Sequence, residues 1–539
     1  MIVATLPFAF SGTAPFLVLG ALMTGGTWSS GALQTALLQR PGRLRTLAGQ
    51  VLALLVVVAV AVLVTFVVIG GFSLAVARAQ TGSWSPEISP FPAVSVVARG
   101  AGVCLLVPLT YAAAGLLLGL LLRNASAAVA VALLWSVVLE GLLDVVALQA
   151  GGVFQVINDA LPGASAVSLG SWFGAVGGGP GTQMYFRVAP ATAVWVLAGY
   201  LCGFVLAAAV LLMCRDVAAA TSTSRPHAEH RKAQARLRDG EERSPRRLLP
   251  APRWSASVRA ELLVLRKRPV AWALLLTTPF FTLVTGYGLN YLFYVTAGTG
   301  VSQGVSPSLP TLLPGEFVAR ALSNFGFNDV GVDTSAAFLL LGALVAGSDW
   351  SRRTITTSTV QGPTRLETFL GQAAALVLLL ALSAAATFVL AATASMAIAQ
   401  REFGLAWTGM SPLPAAGVVA QGLAAAVLIS VAFALAGLAL GTATRSSSGA
   451  IGAVLVWVIV VQRQLDTLAT QVGGVVQTFT NLLPNTSQAT LTQLFGSVSP
   501  YSTATDLPVQ ASVAVGLLAA YSVAFLLIPA YLLQRRDLA

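Results

Sequence analysis

Charged side chains are scarce in this sequence: they make up 9% of its 539 residues against 56% apolar ones, and the mean hydropathy is +0.82. That excludes an ordinary soluble domain, in which about a quarter of residues are charged. Lysine is nearly missing, represented only by Lys232 and Lys267. Neither falls in the G-x-x-x-x-G-K-[ST] pattern by which backbone N–H groups and a lysine hold phosphates, so no nucleotide site of that kind is encoded. The two histidines, His227 and His230, lie in a polar stretch and read as solvated. Cys104, Cys202 and Cys214 fall in or at the ends of apolar runs and read as inert lining, not as disulfides or a metal site. The apolar runs also lack the alternation of a membrane β-barrel, as LALLVVVAVAVLVTFVVIGG (Leu52–Gly71) shows.

What is present is a series of runs of about 20 apolar residues, the length that spans a hydrocarbon core of about 30 Å as helix. The chain is therefore expected to be an all-α integral membrane protein with about 11 transmembrane helices. Five are placed at 5–24, 50–72, 96–122, 127–149 and 190–213, and six at 270–294, 334–348, 372–398, 416–443, 449–471 and 511–533. The first run has no basic segment before it and reads as a retained span, not a cleavable signal. Arg40, Arg43, Arg45, Arg123, Arg352, Arg353, Arg365, Arg445, Arg535 and Arg536 fall on one side, which the positive-inside rule makes the cytoplasm. The C-terminus is then cytoplasmic, and the opposite loops, 150–188, 297–333 and 472–510, are long and sparsely charged. Arginine outnumbers lysine 28 to 2, which with abundant alanine points to a GC-rich bacterial gene and the bacterial cytoplasmic membrane.

Between the two groups of spans, Arg215–Arg268 carries 14 basic and six acidic residues, a net charge of +8 out of +11. A solvated linker attracted to anionic lipid accounts for this better than nucleic-acid binding. The linker proper is 215–252, separating a first unit, 1–214, from a second, 253–539. In RWSASVRAELLVLRKRP, Trp254, Val258, Leu262 and Leu265 share one helical face ahead of Pro269, the pattern of an amphipathic helix lying on the membrane surface.

An offset of 322 residues brings the two units into register without a gap from Phe16 to about Val176. In so apolar a chain only the rarer residues carry weight, and they agree. Gly20, Trp28, Gln39, Pro41, Arg43 and Gly49-Gln50 match Gly342, Trp350, Gln361, Pro363, Arg365 and Gly371-Gln372. Gly115, Gly119, Arg123, Trp135 and Asp144 match Gly437, Gly441, Arg445, Trp457 and Asp466. Both copies have the same orientation by their arginines, so two parallel repeats related by a pseudo-twofold axis along the membrane normal are expected. They are unequal, five spans against six, because Met1 aligns with Ser323 and the surface helix and first span at 253–294 have no N-terminal counterpart. The first half is thus expected to lack its first helix.

Each repeat carries one polar insert, GTWSSGALQTALLQRPGRLRTLAGQ and GSDWSRRTITTSTVQGPTRLETFLGQ, between two apolar helices. With its flanking helices the insert resembles the second-to-third helix region of an ABC-2 type permease, the membrane subunit of actinobacterial-type drug and antibiotic exporters. The helix before Pro269 is similar to that family's connecting helix. The resemblance implies that each insert is a coupling segment fitting a groove on an ATPase subunit, probed by Trp28, Gln39, Pro41, Arg43 and Arg45 in one copy and Trp350, Arg352, Arg353, Gln361, Pro363 and Arg365 in the other. It implies an ABC ATPase partner, in two copies, that binds the ATP and magnesium. This chain would hold no cofactor and catalyse no reaction, and would move a hydrophobic or amphipathic compound outward.

Intramembrane charge marks a second set of positions. Glu140 and Asp144 lie one turn apart, and the 322 offset places Gln462 opposite Glu140, Asp466 opposite Asp144 and Arg463 opposite Gly141. Such groups cost about 2.5 to 3.5 kcal/mol near the bilayer centre unless they face protein or water. They are expected to border the translocation path, with Glu140 or Asp144 pairing with Arg463 or each group snorkelling separately to the outer interface. Two other readings compete: a proton-coupled antiporter, which also has parallel halves but whose glycine-aspartate-arginine loop spacing GALVAGSDWSRRT does not match, and a membrane-embedded lipid-modifying enzyme using the two carboxylates.

Overall fold

The computed structural model describes residues 13–29, 42–81, 94–123, 125–133, 152–172, 188–214, 253–297, 312–325, 334–351, 364–404, 414–455, 474–495 and 509–535, with the single positions 135, 140, 143, 147, 457 and 465. Among these residues the chain is all-helical. The first unit contributes α1 (Thr13–Ser29), α2 (Arg43–Thr81), α3 (Val94–Leu122), α4 (Ala125–Leu133), α5 (Gly152–Ala160), α6 (Pro162–Trp172) and α7 (Pro190–Cys214). The second contributes α8 (Arg253–Arg266), α9 (Pro269–Phe281), a π-helical stretch (Thr282–Leu289), α10 (Asn290–Ala297) and α11 (Phe317–Ser323). It continues through α12 (Ser335–Ser351), α13 (Arg365–Phe403), α14 (Ala416–Thr444), α15 (Ser447–Leu455), α16 (Gly474–Leu482), α17 (Pro484–Leu494) and α18 (Ala511–Arg535).

Among the described residues, seven stretches are long and apolar enough to cross a membrane: 43–64, 99–122, 190–214, 271–292, 366–403, 416–444 and 511–534. The protein is therefore a multi-pass, all-α membrane protein. Two further expected spans, α1 and α12, hold shorter apolar cores, Phe16–Trp28 and Ser335–Gly347. The two expected at 127–149 and 449–471 lie mostly outside the described residues.

Helix bounds recur at the offset read from the sequence. Adding 322 to the limits of α1 to α6 gives those of α12 to α17, and adding 321 to α7 gives α18. Tight turns recur as well: Arg123 and Arg445, each ending a long helix, both have φ of 52°, and Gly152 and Gly474 have φ of 53° and 55°. A left-handed turn costs a non-glycine residue about 1 kcal/mol or more, so its repetition at paired arginines marks a backbone shape common to both units.

The closest packing repeats too. A Cβ on Gly20 would collide with the carbonyl of Ala112, and one on Gly115 with the carbonyl of Leu17. At the equivalent positions, Gly342 abuts Ala434 and Gly437 abuts Leu339. Small residues thus let α1 lie directly on α3, and α12 on α14, as expected where lipid supplies no hydrophobic drive for helices to associate. Thr24 secures the first crossing by donating from its hydroxyl to the carbonyl of Leu116 across 3.0 Å. The two units meet where α1 touches α15 and α4 touches α9.

Three expectations are refined. First, α2 and α13 each run 39 residues, about 58 Å at helical rise, well beyond the 50–72 and 372–398 expected. A capping box starts α13: Thr364 Oγ1 accepts from the Glu367 amide at 3.2 Å, and Glu367 accepts from the Thr364 amide at 2.8 Å. Second, the segments read as loops contain helices. Phe317–Leu322 is buried throughout, Arg320 at 2% exposure included, and Gln488 of α17 donates to the Phe325 carbonyl at 3.0 Å. Buried backbone must find internal partners, and helices supply them. Third, the described part of the α8 face expected to rest on lipid packs inward: Leu265 is buried, Val258 and Leu262 are half-buried against the core, Ser257 donates to the Glu367 carbonyl at 3.2 Å, and Leu263 and Val264 are exposed instead, while the side chain of Trp254 lies outside the described residues.

Candidate functional site

Residues spaced three or four apart on α3, namely Thr110, Tyr111, Ala114, Leu117 and Leu118, form one wall of a cavity of 240 Å³ in the first unit. Tyr200 and Phe204 of α7 form the facing wall, their ring centroids 5.5 Å apart. Leu17, Val131, Trp135 and the Leu161-Pro162 corner between α5 and α6 complete it. Tyr200 is fixed by donating to the Ala160 carbonyl at 3.0 Å, which ties the end of α5 to α7. Tyr111 lies 11 residues before the Leu122 end of α3, about 17 Å along the axis.

Behind two of the aromatic walls sits Glu140. The Tyr111 hydroxyl lies 3.1 and 2.9 Å from its two carboxyl oxygens, and the Trp135 indole N–H donates to Oε1 at 3.1 Å. Gly163 makes room for the group, since a Cβ there would come within 3.4 Å of the carboxyl and 3.5 Å of the tyrosine oxygen. Hydrogen bonds to an ionised acceptor are worth about 1.5 to 3 kcal/mol each, and an orphaned buried partner costs a similar amount. The three side chains therefore hold one another. Among the described residues, Glu140 is hydrogen-bonded only to these two neutral donors.

The second unit builds the same frame with other chemistry. Tyr521 donates to the Leu482 carbonyl at 3.1 Å and stacks on Phe525 at 5.7 Å, matching Tyr200 and Phe204. Buried Phe433 stands where Tyr111 does, Ala432 where Thr110 does, and the sequence places Gln462 opposite Glu140. Carboxylate and phenol are both replaced.

The residues marked from sequence separate into distinct groups. Glu140 belongs to the cavity network. Asp144, Gln462, Arg463 and Asp466 lie outside the described residues, so the expected pairing with Arg463 does too. Trp28 is buried, with the Arg123 guanidinium 4.9 Å above its ring, a cation–π contact that joins α1 to the end of α3. Arg43 donates from Nη1 to the carbonyls of Leu212 and Met213 at 3.3 and 2.9 Å, satisfying the C-terminus of α7 where a cation also suits the helix dipole. Arg45, two residues on, is exposed. Gln39, Pro41, Arg352, Arg353, Gln361 and Pro363 lie outside the described residues, as do the side chains of Trp350 and Arg365. Sequence reading missed Tyr111, Trp135 and Tyr200 as site residues. The available signal was the Tyr111–Phe433 mismatch inside an otherwise well-matched repeat.

No family model, curated protein or solved structure matches this chain.

Proposed function

We propose that this chain is the membrane subunit of an ATP-driven exporter of the ABC-2 type, moving a hydrophobic or amphipathic compound across the bacterial cytoplasmic membrane with energy from a separate ATPase. One observation carries the reading: a short apolar helix, a polar insert and a 39-residue helix occur twice, with identical bounds after an offset of 322. Two equivalent inserts on one side of the membrane suit a twofold partner, and two copies of an ATPase would be such a partner. In this reading the chain holds 11 spans, five and six in parallel repeats about a pseudo-twofold axis, and the basic linker 215–252 and the C-terminus are cytoplasmic.

Arg43 already serves α7, so its loss would disturb folding whether or not it contacts a partner. Exposed Arg45 makes the cleaner docking test, together with Arg365. Loss of one partner from a desolvated charge contact costs about 2 to 5 kcal/mol. Arg45→Glu with Arg365→Glu is expected to abolish co-purification of a co-expressed P-loop ATPase while the chain remains membrane-inserted and monodisperse. Unchanged co-purification overturns the docking assignment. Transport by the chain alone in proteoliposomes, driven by a pH gradient, overturns the exporter reading and favours the antiporter.

A further inference from the structure

The geometry points to the cavity between α3 and α7 as a binding site for an organic cation with an apolar body, held by aromatic faces that the Glu140 carboxylate backs. Its walls combine Tyr111, Trp135, Tyr200 and Phe204 with aliphatic carbon. The two polar hydrogens nearest the carboxylate, on Tyr111 and Trp135, are directed at Glu140. What these two side chains leave for the cavity is ring carbon. A phenol and an indole that donate to an anion gain electron density in their rings, which strengthens the attraction of a ring face for a cation. When ionised, the carboxylate behind them adds a negative potential, and among the described residues its two hydrogen-bond partners are neutral. A neutral apolar ligand would gain burial against these walls but nothing from the carboxylate, and an anion would be repelled.

Size and access agree. An apolar cavity of about 150 Å³ holds benzene, so 240 Å³ takes one ring with a compact cationic head. Val131 and Trp135, 40% and 37% exposed, leave the cavity open at the chain surface, so an apolar ligand can enter sideways. The second unit, with Phe433 for Tyr111 and Gln462 for Glu140, has lost both the phenol and the charge, so one site per chain is assigned. Treating the bound cation as transport cargo rests on the exporter reading; the site itself does not.

The test uses the full chain in phosphatidylcholine nanodiscs, without an ATPase, titrated calorimetrically with benzyltrimethylammonium and with neopentylbenzene, its neutral isostere. Saturable binding of the cation near one per chain is expected, at least tenfold tighter than the isostere. Glu140→Gln should weaken the cation at least tenfold. Ala114→Phe, which fills the cavity and leaves the carboxylate network in place, should abolish binding. Should Glu140→Gln fail to yield monodisperse protein, Ala114→Phe and the cation-to-isostere ratio still decide. Absence of saturable binding by the wild-type chain, equal binding of the two probes, or unchanged affinity in a monodisperse Glu140→Gln or Ala114→Phe variant overturns the assignment. None of these outcomes bears on ATPase docking, which the co-purification experiment tests separately.

Discussion

Where they are described, the two units share helix bounds and close crossings and differ in the side chains they enclose. α1 lies on α3 through Gly20 and Gly115, and α12 lies on α14 through Gly342 and Gly437, with the same carbonyls approached at the same places. Tyr200 and Tyr521 make the same bond to the ends of α5 and α16, at 3.0 and 3.1 Å. Yet among the described residues only the first unit joins a phenol and an indole to an acid, and the second has buried Phe433 in the phenol's place. The frame is set by the few positions where only a small residue fits or a turn must be left-handed. The chemistry is set by side chains that can change without moving the frame.

The largest expected effect would break the shared part of the comparison. Gly115→Leu and Gly437→Leu each drive a side chain into a backbone carbonyl that no rotamer change can move. The cost should exceed the about 1 to 3 kcal/mol of ordinary overpacking, and size-exclusion chromatography should show both variants aggregated. Gly199→Ala, which meets nothing within 4 Å, should stay monodisperse. Equal tolerance of all three would mean that the close crossings do not hold the units together.

An intermediate effect would sharpen the difference between the units. Tyr111→Phe removes one of the two donors described for Glu140 and should cost about 1.5 to 3 kcal/mol, read as a fall in Tm in nanodiscs. Tyr111→Phe combined with Glu140→Gln reproduces the pair of residues in the second unit and should recover part of the loss. Strictly additive losses would show that the phenol and the acid do not act together.

Smaller still, Tyr200→Phe and Tyr521→Phe should each cost about 1 kcal/mol, and equally, because each removes one bond to a helix-end carbonyl. A difference above about 0.5 kcal/mol would show that the halves diverge in rigidity as well as chemistry. The smallest contrast lies within one turn of α2. Arg43→Gln should lower stability by about 1 kcal/mol, and Arg45→Gln by less than about 0.5 kcal/mol, since only Arg43 reaches α7.

Composition and run length by themselves determined that this is a helical membrane protein, and the rare residues of the repeat located equivalent elements in both units. Those signals are local or depend on one-dimensional register, so they survive without coordinates. Which side of each helix faces protein was not legible in this way. In α3, α7 and α14 apolar residues run all round, so periodicity selects no face. Only the packed structure could assign Glu140 to Tyr111, 29 residues away, and Arg43 to the end of α7, 169 residues away. In lipid the choice of face falls to close contacts between small residues and to the few polar groups that must find partners. Both depend on which helices become neighbours, and that is decided in three dimensions.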